Sequence, residues 1–179
     1  MLRTVDPAVY DQWTTNEIPF NDERVVAAIE EFGWFARNDE RVSGGAGAVA
    51  STDFRDSPKG LFTSPPQGYM HRQASFVPAF LPDDVEFGVD TNFFYFPSYA
   101  SKDLGNPVLG GGTLMAITDP SEGANALMEF FQLPLSHEVM MAQTGFLTPH
   151  NGVNLDAYKD DTLRALGEVL LGATTFRFD

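Results

Sequence analysis

The chain has 179 residues, 43% of them hydrophobic and 16 of them Phe, with no cysteine and a formal net charge of −14 from 25 acidic against 11 basic side chains. Lack of cysteine excludes disulfides, zinc–thiolate sites, iron–sulfur clusters and a catalytic thiol. The acid is spread along the chain, which argues against nucleic acid or an anionic membrane surface as a partner and reads as a solubilising surface.

The length suits one domain with a real core. Met1 to Pro7 carries no apolar h-region and no cleavage pattern, and no run is long enough to span a bilayer. From about Pro7 to Asn16 a short helix is expected, with Val9, Tyr10 and Trp13 on its apolar side. Asn21 is the expected N-cap of a second, where Val25, Ile29 and Phe32 repeat at helical spacing before Gly33. Ser43 to Gly47 then gives flexible entry to an Ala-rich helix over Ala46–Phe54, and Pro58–Thr63 is read as a short strand.

The next stretch, Pro65-Pro66-Gln67-Gly68-Tyr69-Met70-His71-Arg72-Gln73-Ala74-Ser75-Phe76, carries most of the functional information. Two prolines stiffen the turn and Gly68 lets it bend. The spacing of Tyr69, Gln73 and Phe76 predicts a helix reaching to about Phe80, whose N-terminus would offer unpaired N–H groups. An aromatic beside short polar and guanidinium groups suits a sugar, with its apolar ring faces and rim of hydroxyls.

Asn92-Phe93-Phe94-Tyr95-Phe96 reads as a strand within Phe87–Pro97, Ser98–Pro107 as loop, and Val108–Thr118 as a second strand broken by Gly110-Gly111-Gly112. Helices follow. The first is expected with Asp119 as N-cap, Pro120 at its first position and the stripe Ala124, Leu127, Met128 and Phe131. The second runs from about Leu135 to Gln143. The third is capped by Asp160 or Asp161, turns Leu163, Leu166 and Leu170 inward, and stops at Gly172.

Little of this asks for catalysis. The three glycines are followed by strand and by no Lys-Ser or Lys-Thr, so neither a phosphate loop nor a dinucleotide fingerprint fits. Close backbone approach at a hinge or beneath a ligand explains them better. His71, His137 and His150 show no metal-ligand spacing, and His137, at a helix start beside Glu138, is expected to be exposed. There is no Gly-x-Ser-x-Gly elbow. A glycoside-acting enzyme with a carboxylate pair stays open on counts alone, although no acid stands beside the aromatic corner.

The corner, together with Phe93-Phe94-Tyr95-Phe96-Pro97, Pro107-Val108-Leu109-Gly110-Gly111-Gly112, Gly145-Phe146-Leu147-Thr148-Pro149-His150 and Thr175-Phe176-Arg177-Phe178-Asp179, resembles the substrate-binding proteins of alpha-glucoside ABC importers. These are extracellular solute-binding proteins of the group that includes maltose-binding protein, and the resemblance covers essentially the whole chain. It implies an α/β chain with a partial type II periplasmic-binding-protein fold, whose two lobes close on a sugar. It also implies no enzymatic activity, no cofactor, no metal and no direct insertion in the membrane. The implied partners are an alpha-glucoside and the permease subunits of the importer, and the implied location is periplasmic or that of an extracellular lipoprotein.

By the same resemblance Tyr69, beside Gly68, is the stacking aromatic. Gln67, His71 and Arg72 become hydroxyl contacts, and Gly111 and Gly112 line the cleft or serve the hinge. Residues 1–107 would belong mainly to one lobe, 108–118 to a strand crossing between lobes, and 119–179 to helices packing on the other lobe. Because the family's members are longer, the resemblance implies an internal or C-terminal fragment, and it leaves open whether Met1 is a natural start. The stripes Leu127, Met128, Phe131 and Leu163, Leu166, Leu170 would then lack their family partners, and either exposed apolar patches on these helices or a rearranged packing is expected. The other reading of such a piece is a short remnant that binds nothing.

Overall fold

The computed structural model describes residues 2, 6–97, 103 and 105–178. They fall into two compact units, Met1–Val85 and Glu86–Asp179.

In the first unit Asp6 opens helix α1 (Pro7–Thr14): its carboxylate accepts the Val9 N–H at 3.2 Å, and Pro7 sits where its missing donor costs nothing. The helix stops short of the expected Asn16 because that residue adopts φ 60°, outside the helical region. Val9 is buried, and Trp13 packs its ring against Tyr10 and Phe20 at 6.2 and 5.4 Å.

Helix α2 (Glu23–Phe32) is capped one residue later than expected, by Asp22 and not Asn21. Asp22 accepts the Arg24 N–H at 3.0 Å and the guanidinium at 2.8 and 2.9 Å, and these bonds hold its carboxyl at about 2, down from the ordinary 3.8. Asparagine could not form that ion pair. Of the predicted stripe only Val25 is buried; Ile29 and Phe32 remain half exposed.

The Ala-rich segment yields one turn of helix, α3 (Ala48–Ser51), because Asp53 draws the chain into a turn by accepting the Arg55 N–H at 2.8 Å. The strand expected over Pro58–Thr63 is a 3-10 turn, Lys59–Phe62. Pro58 and Gly60 both disfavour a strand, and the Leu61 N–H closes on the Pro58 carbonyl at 3.1 Å. The helix expected over Tyr69–Phe80 is also absent, and only Val77–Phe80 makes a 3-10 turn. Pro78 removes the donor a helix would need there and clashes with the preceding turn. What holds the segment is a ring cluster: Phe54, Phe76 and Phe80 meet edge to face at 5.5–6.1 Å.

In the second unit Phe93 and Tyr95 turn inward while Phe94 and Phe96 point out, the alternation of a strand. Among the described residues no strand pairs with them, and the bridge nearby joins Phe87 to Thr91. The expected loop over Ser98–Pro107 lies largely outside the described residues. The second predicted strand is realised only as β1 (Pro107–Gly110), which pairs in parallel with β2 (Thr175–Phe178), Pro107 against Thr175 and Gly110 against Phe178. Among the described residues the pairing runs to Gly110 against Phe178, and residues 111–117 join no ladder.

Three helices connect the two strands. Helix α4 (Glu122–Phe131) is capped by Ser121, whose hydroxyl accepts the Ala124 N–H at 3.1 Å; the expected cap, Asp119, lies outside it. Helix α5 (Pro134–Gln143) follows after a two-residue turn. Helix α6 (Asp161–Leu171) has Asp160 as N-cap and Gly172 as C-cap, as the sequence predicts. Met141, Tyr158 and Leu163 form the core here, with Phe146, Leu147 and Leu166 against it.

Of the α6 stripe, Leu163 is buried and Leu166 packs against the core that residues 146–158 help to build, the second of the two expected outcomes, while Leu170 is half-buried. The other expected stripe is half open: Leu127 is 53% exposed, while Met128 and Phe131 are partly covered. The described residues form helices with a small parallel sheet, an α/β arrangement, and none of their helices is long and apolar enough to cross a membrane.

Candidate functional site

The 53–80 region gives the corner its shape. Pro58 is buried, and the ring cluster clamps residues 54 and 76–80 together. The Gln67 N–H donates to the Gly60 carbonyl at 2.9 Å, which pins the corner to the preceding 3-10 turn. The Gln67 side chain is fixed as well, since the Ser43 hydroxyl donates to its Oε1 at 3.1 Å. Its amide NH2 is therefore the group left to donate.

Tyr69 is 86% exposed and Arg72 is also on the surface; neither has a hydrogen bond or ion pair to another described residue. Gly68 is half-buried, with open space where a Cβ would lie. His71 lies beside Ser57, its Nε2 3.3 Å from the hydroxyl. Burial lowers the proton affinity of the imidazole below its ordinary 6.5, which favours the neutral ring.

That shift has a sign in stability. Between 6.5 and the lower folded value the unfolded chain binds the proton more readily, so the neutral-ring contribution is complete above pH 6.5 and lost as pH falls through that window. Urea midpoints at pH 7.5 and 5.5 are expected to differ less in His71→Gln than in the parent. An equal difference in both would show that His71 carries no part of the acid sensitivity.

Gly111 and Gly112 lie in the other unit, directly after β1, on exposed irregular backbone. A Cβ on Gly111 would meet nothing within 4 Å, so close packing does not explain that glycine. Gln67, Gly68, Tyr69, His71 and Arg72 lie on one largely exposed corner of turn and extended backbone, and not at a helix start. Ser43 and Ser57, which orient two of them, escape sequence reading. They are ordinary turn serines 24 and 14 residues from their partners.

The other histidines also depart from expectation. His137 is half-buried, with Nε2 at 2.9 Å from the Phe131 carbonyl and Nδ1 at 2.8 Å from Thr148 Oγ1. Its ring lies 5.2 Å from that of His150, brought there by the 146–152 turn. Among the described residues no group of three or more His, Asp or Glu is arranged to hold a metal ion.

No family profile and no solved structure matches the chain. Over its full length it is 61% identical to the alpha-glucosides-binding periplasmic protein AglE of Rhizobium meliloti (strain 1021), of which it covers 39%. It is 39% identical over the same length to the osmoprotective compounds-binding protein GgtB of Synechocystis sp. (strain ATCC 27184 / PCC 6803 / Kazusa), of which it covers 42%. The chain thus spans about two fifths of the length of the curated relatives it matches. Both are binding proteins by name. Along its whole length, then, the chain is a relative of a periplasmic protein that binds alpha-glucosides and of a protein that binds osmoprotective compounds.

Proposed function

We propose that this chain is the part of an extracytoplasmic solute-binding protein that supplies one wall of an alpha-glucoside site, the loaded protein handing its sugar to the permease of an ABC importer. The observation that carries the reading is the corner itself. Tyr69 stands 86% exposed, with no hydrogen bond among the described residues, beside a Gln67 whose backbone and side chain are both pinned. An exposed aromatic in fixed surroundings is what a sugar ring stacks on. The greater identity to the alpha-glucoside relative supports that sugar class over osmoprotective compounds.

In this reading Gln67, His71 and Arg72 bond sugar hydroxyls, Gly68 lets the backbone come close, and Gly111 and Gly112 line the cleft or its hinge. The bilobed arrangement assigns 1–107 mainly to one lobe, 108–118 to the crossing and 119–179 to the other. A periplasmic or lipid-anchored location follows from the same reading. The glycoside-hydrolase alternative has no comparable support.

Calorimetric titration of maltose, as an alpha-glucoside probe, tests the proposal. Saturable binding is expected, and Tyr69→Ala should weaken it by ~1 kcal/mol, about fivefold. Equal affinity in parent and variant would remove Tyr69 from the site. Absence of binding in the parent would overturn the function for this chain.

A further inference from the structure

We infer that Ser57 is a positioning residue: it fixes His71 as the imidazole tautomer with its proton on Nε2, leaving Nδ1 to accept a hydrogen bond from a hydroxyl of the bound sugar. The inference rests on the sugar-binding reading above and adds to it a residue and a polarity.

The argument is one of proton counting. A serine hydroxyl has one hydrogen to give and two lone pairs to receive with. Ser57 Oγ lies 2.8 Å from the Phe54 carbonyl and 3.3 Å from His71 Nε2. A carbonyl oxygen can only accept, so the hydroxyl hydrogen goes along the shorter contact to Phe54. Ser57 then faces Nε2 with a lone pair, and Nε2 must carry the hydrogen between them. A neutral imidazole has only one such hydrogen, so Nδ1 is bare. Among the described residues nothing bonds to it. The lowered proton affinity of the ring acts in the same direction by disfavouring a second proton.

The same count disposes of a nucleophilic role for this Ser–His pair. A serine activated by histidine donates its proton to the imidazole; here that proton is committed to Phe54 and the bond runs the other way. The anchor is also rigid. Ser57 is half-buried between Phe54, which belongs to the ring cluster, and the buried Pro58. Gln67 complements it: Ser43 occupies its Oε1, so it offers a donor where His71 offers an acceptor. Sugar hydroxyls, which both donate and accept, can use one of each. Two turn serines thereby set the polarity of the corner.

The test combines nitrogen-15 NMR of the 179-residue chain at pH 7.5 with maltose calorimetry on the same samples. The parent is expected to show His71 protonated at Nε2. Ser57→Ala should turn it into a mixture of tautomers and weaken maltose by about fivefold, the worth of one hydrogen bond. Ser57→Thr, which keeps the hydroxyl, should restore both. Protonation at Nδ1 in the parent overturns the inference outright. A shifted tautomer with unchanged affinity overturns the link from Ser57 to the sugar. If the parent shows the Nε2 proton but binds no maltose, the sugar-binding reading fails and Nδ1 loses its assigned partner, while the Ser57–His71 bond stands.

Discussion

Alanine at Gly167 is expected to destabilise the chain by about 1–3 kcal/mol in urea unfolding followed by circular dichroism. The sign is the informative part, because glycine to alanine inside a helix ordinarily gains ~1 kcal/mol. Gly167 lies on the buried side of α6, where a Cβ would fall 2.6 Å from Tyr158 Cε2, 2.8 Å from its hydroxyl and 2.9 Å from Cζ. Tyr158 has nowhere to retreat. It is 7% exposed, and its hydroxyl accepts the Thr148 N–H at 3.2 Å. Gly123 in α4 supplies the control, with nothing within 4 Å of its added Cβ, and Gly123→Ala should show the ordinary gain. If both variants gain stability, the Tyr158 ring is not fixed against α6.

Valine at Thr148 is expected to cost a similar ~1–3 kcal/mol without any change in shape. Thr148 is wholly buried. The Phe131 carbonyl, 2.9 Å from His137 Nε2, can only accept, so in the neutral ring that nitrogen carries the proton and Nδ1 accepts. The Thr148 hydroxyl therefore donates to His137 Nδ1 at 2.8 Å while its oxygen accepts the His150 N–H at 3.0 Å. Valine removes the partner of both groups at a side chain that is itself wholly buried. Thr148→Ser keeps both bonds and loses only a methyl. Urea midpoints should therefore order as parent, then serine, then valine. Equal midpoints for serine and valine would show that the hydroxyl contributes nothing.

Sequence foresaw these helices better than their surroundings. Asp160 and Gly172 bound α6 because a cap acts through the two or three residues beside it, and such local chemistry is visible in a string. The strands over Phe87–Pro97 and beyond Gly110 were not obtained, since a strand needs a partner that its own residues do not specify. At the corner the residue types were legible: an aromatic, an amide, an imidazole and a guanidinium on one exposed turn. Its backbone was not, because Pro78 outweighs the helical spacing of Tyr69, Gln73 and Phe76. Nor was the approach of His137 to His150 readable, as it depends on how the 146–152 turn folds back onto α5.

The pairing of β1 with β2 has a kinetic consequence. It closes a circuit of 68 residues, from Asn106, whose N–H donates to the Thr174 hydroxyl, to the far end of the three helices. Contacts among α4, α5, α6 and their turns join near neighbours in the chain, whereas the sheet must await the search for a distant mate. Loop-closure entropy sets the order of events: the helical hairpins assemble early and the ladder zips last. Whatever part of the chain emerges first during synthesis, residues 107–110 stay without their partner strand until residues 175–178 have been made.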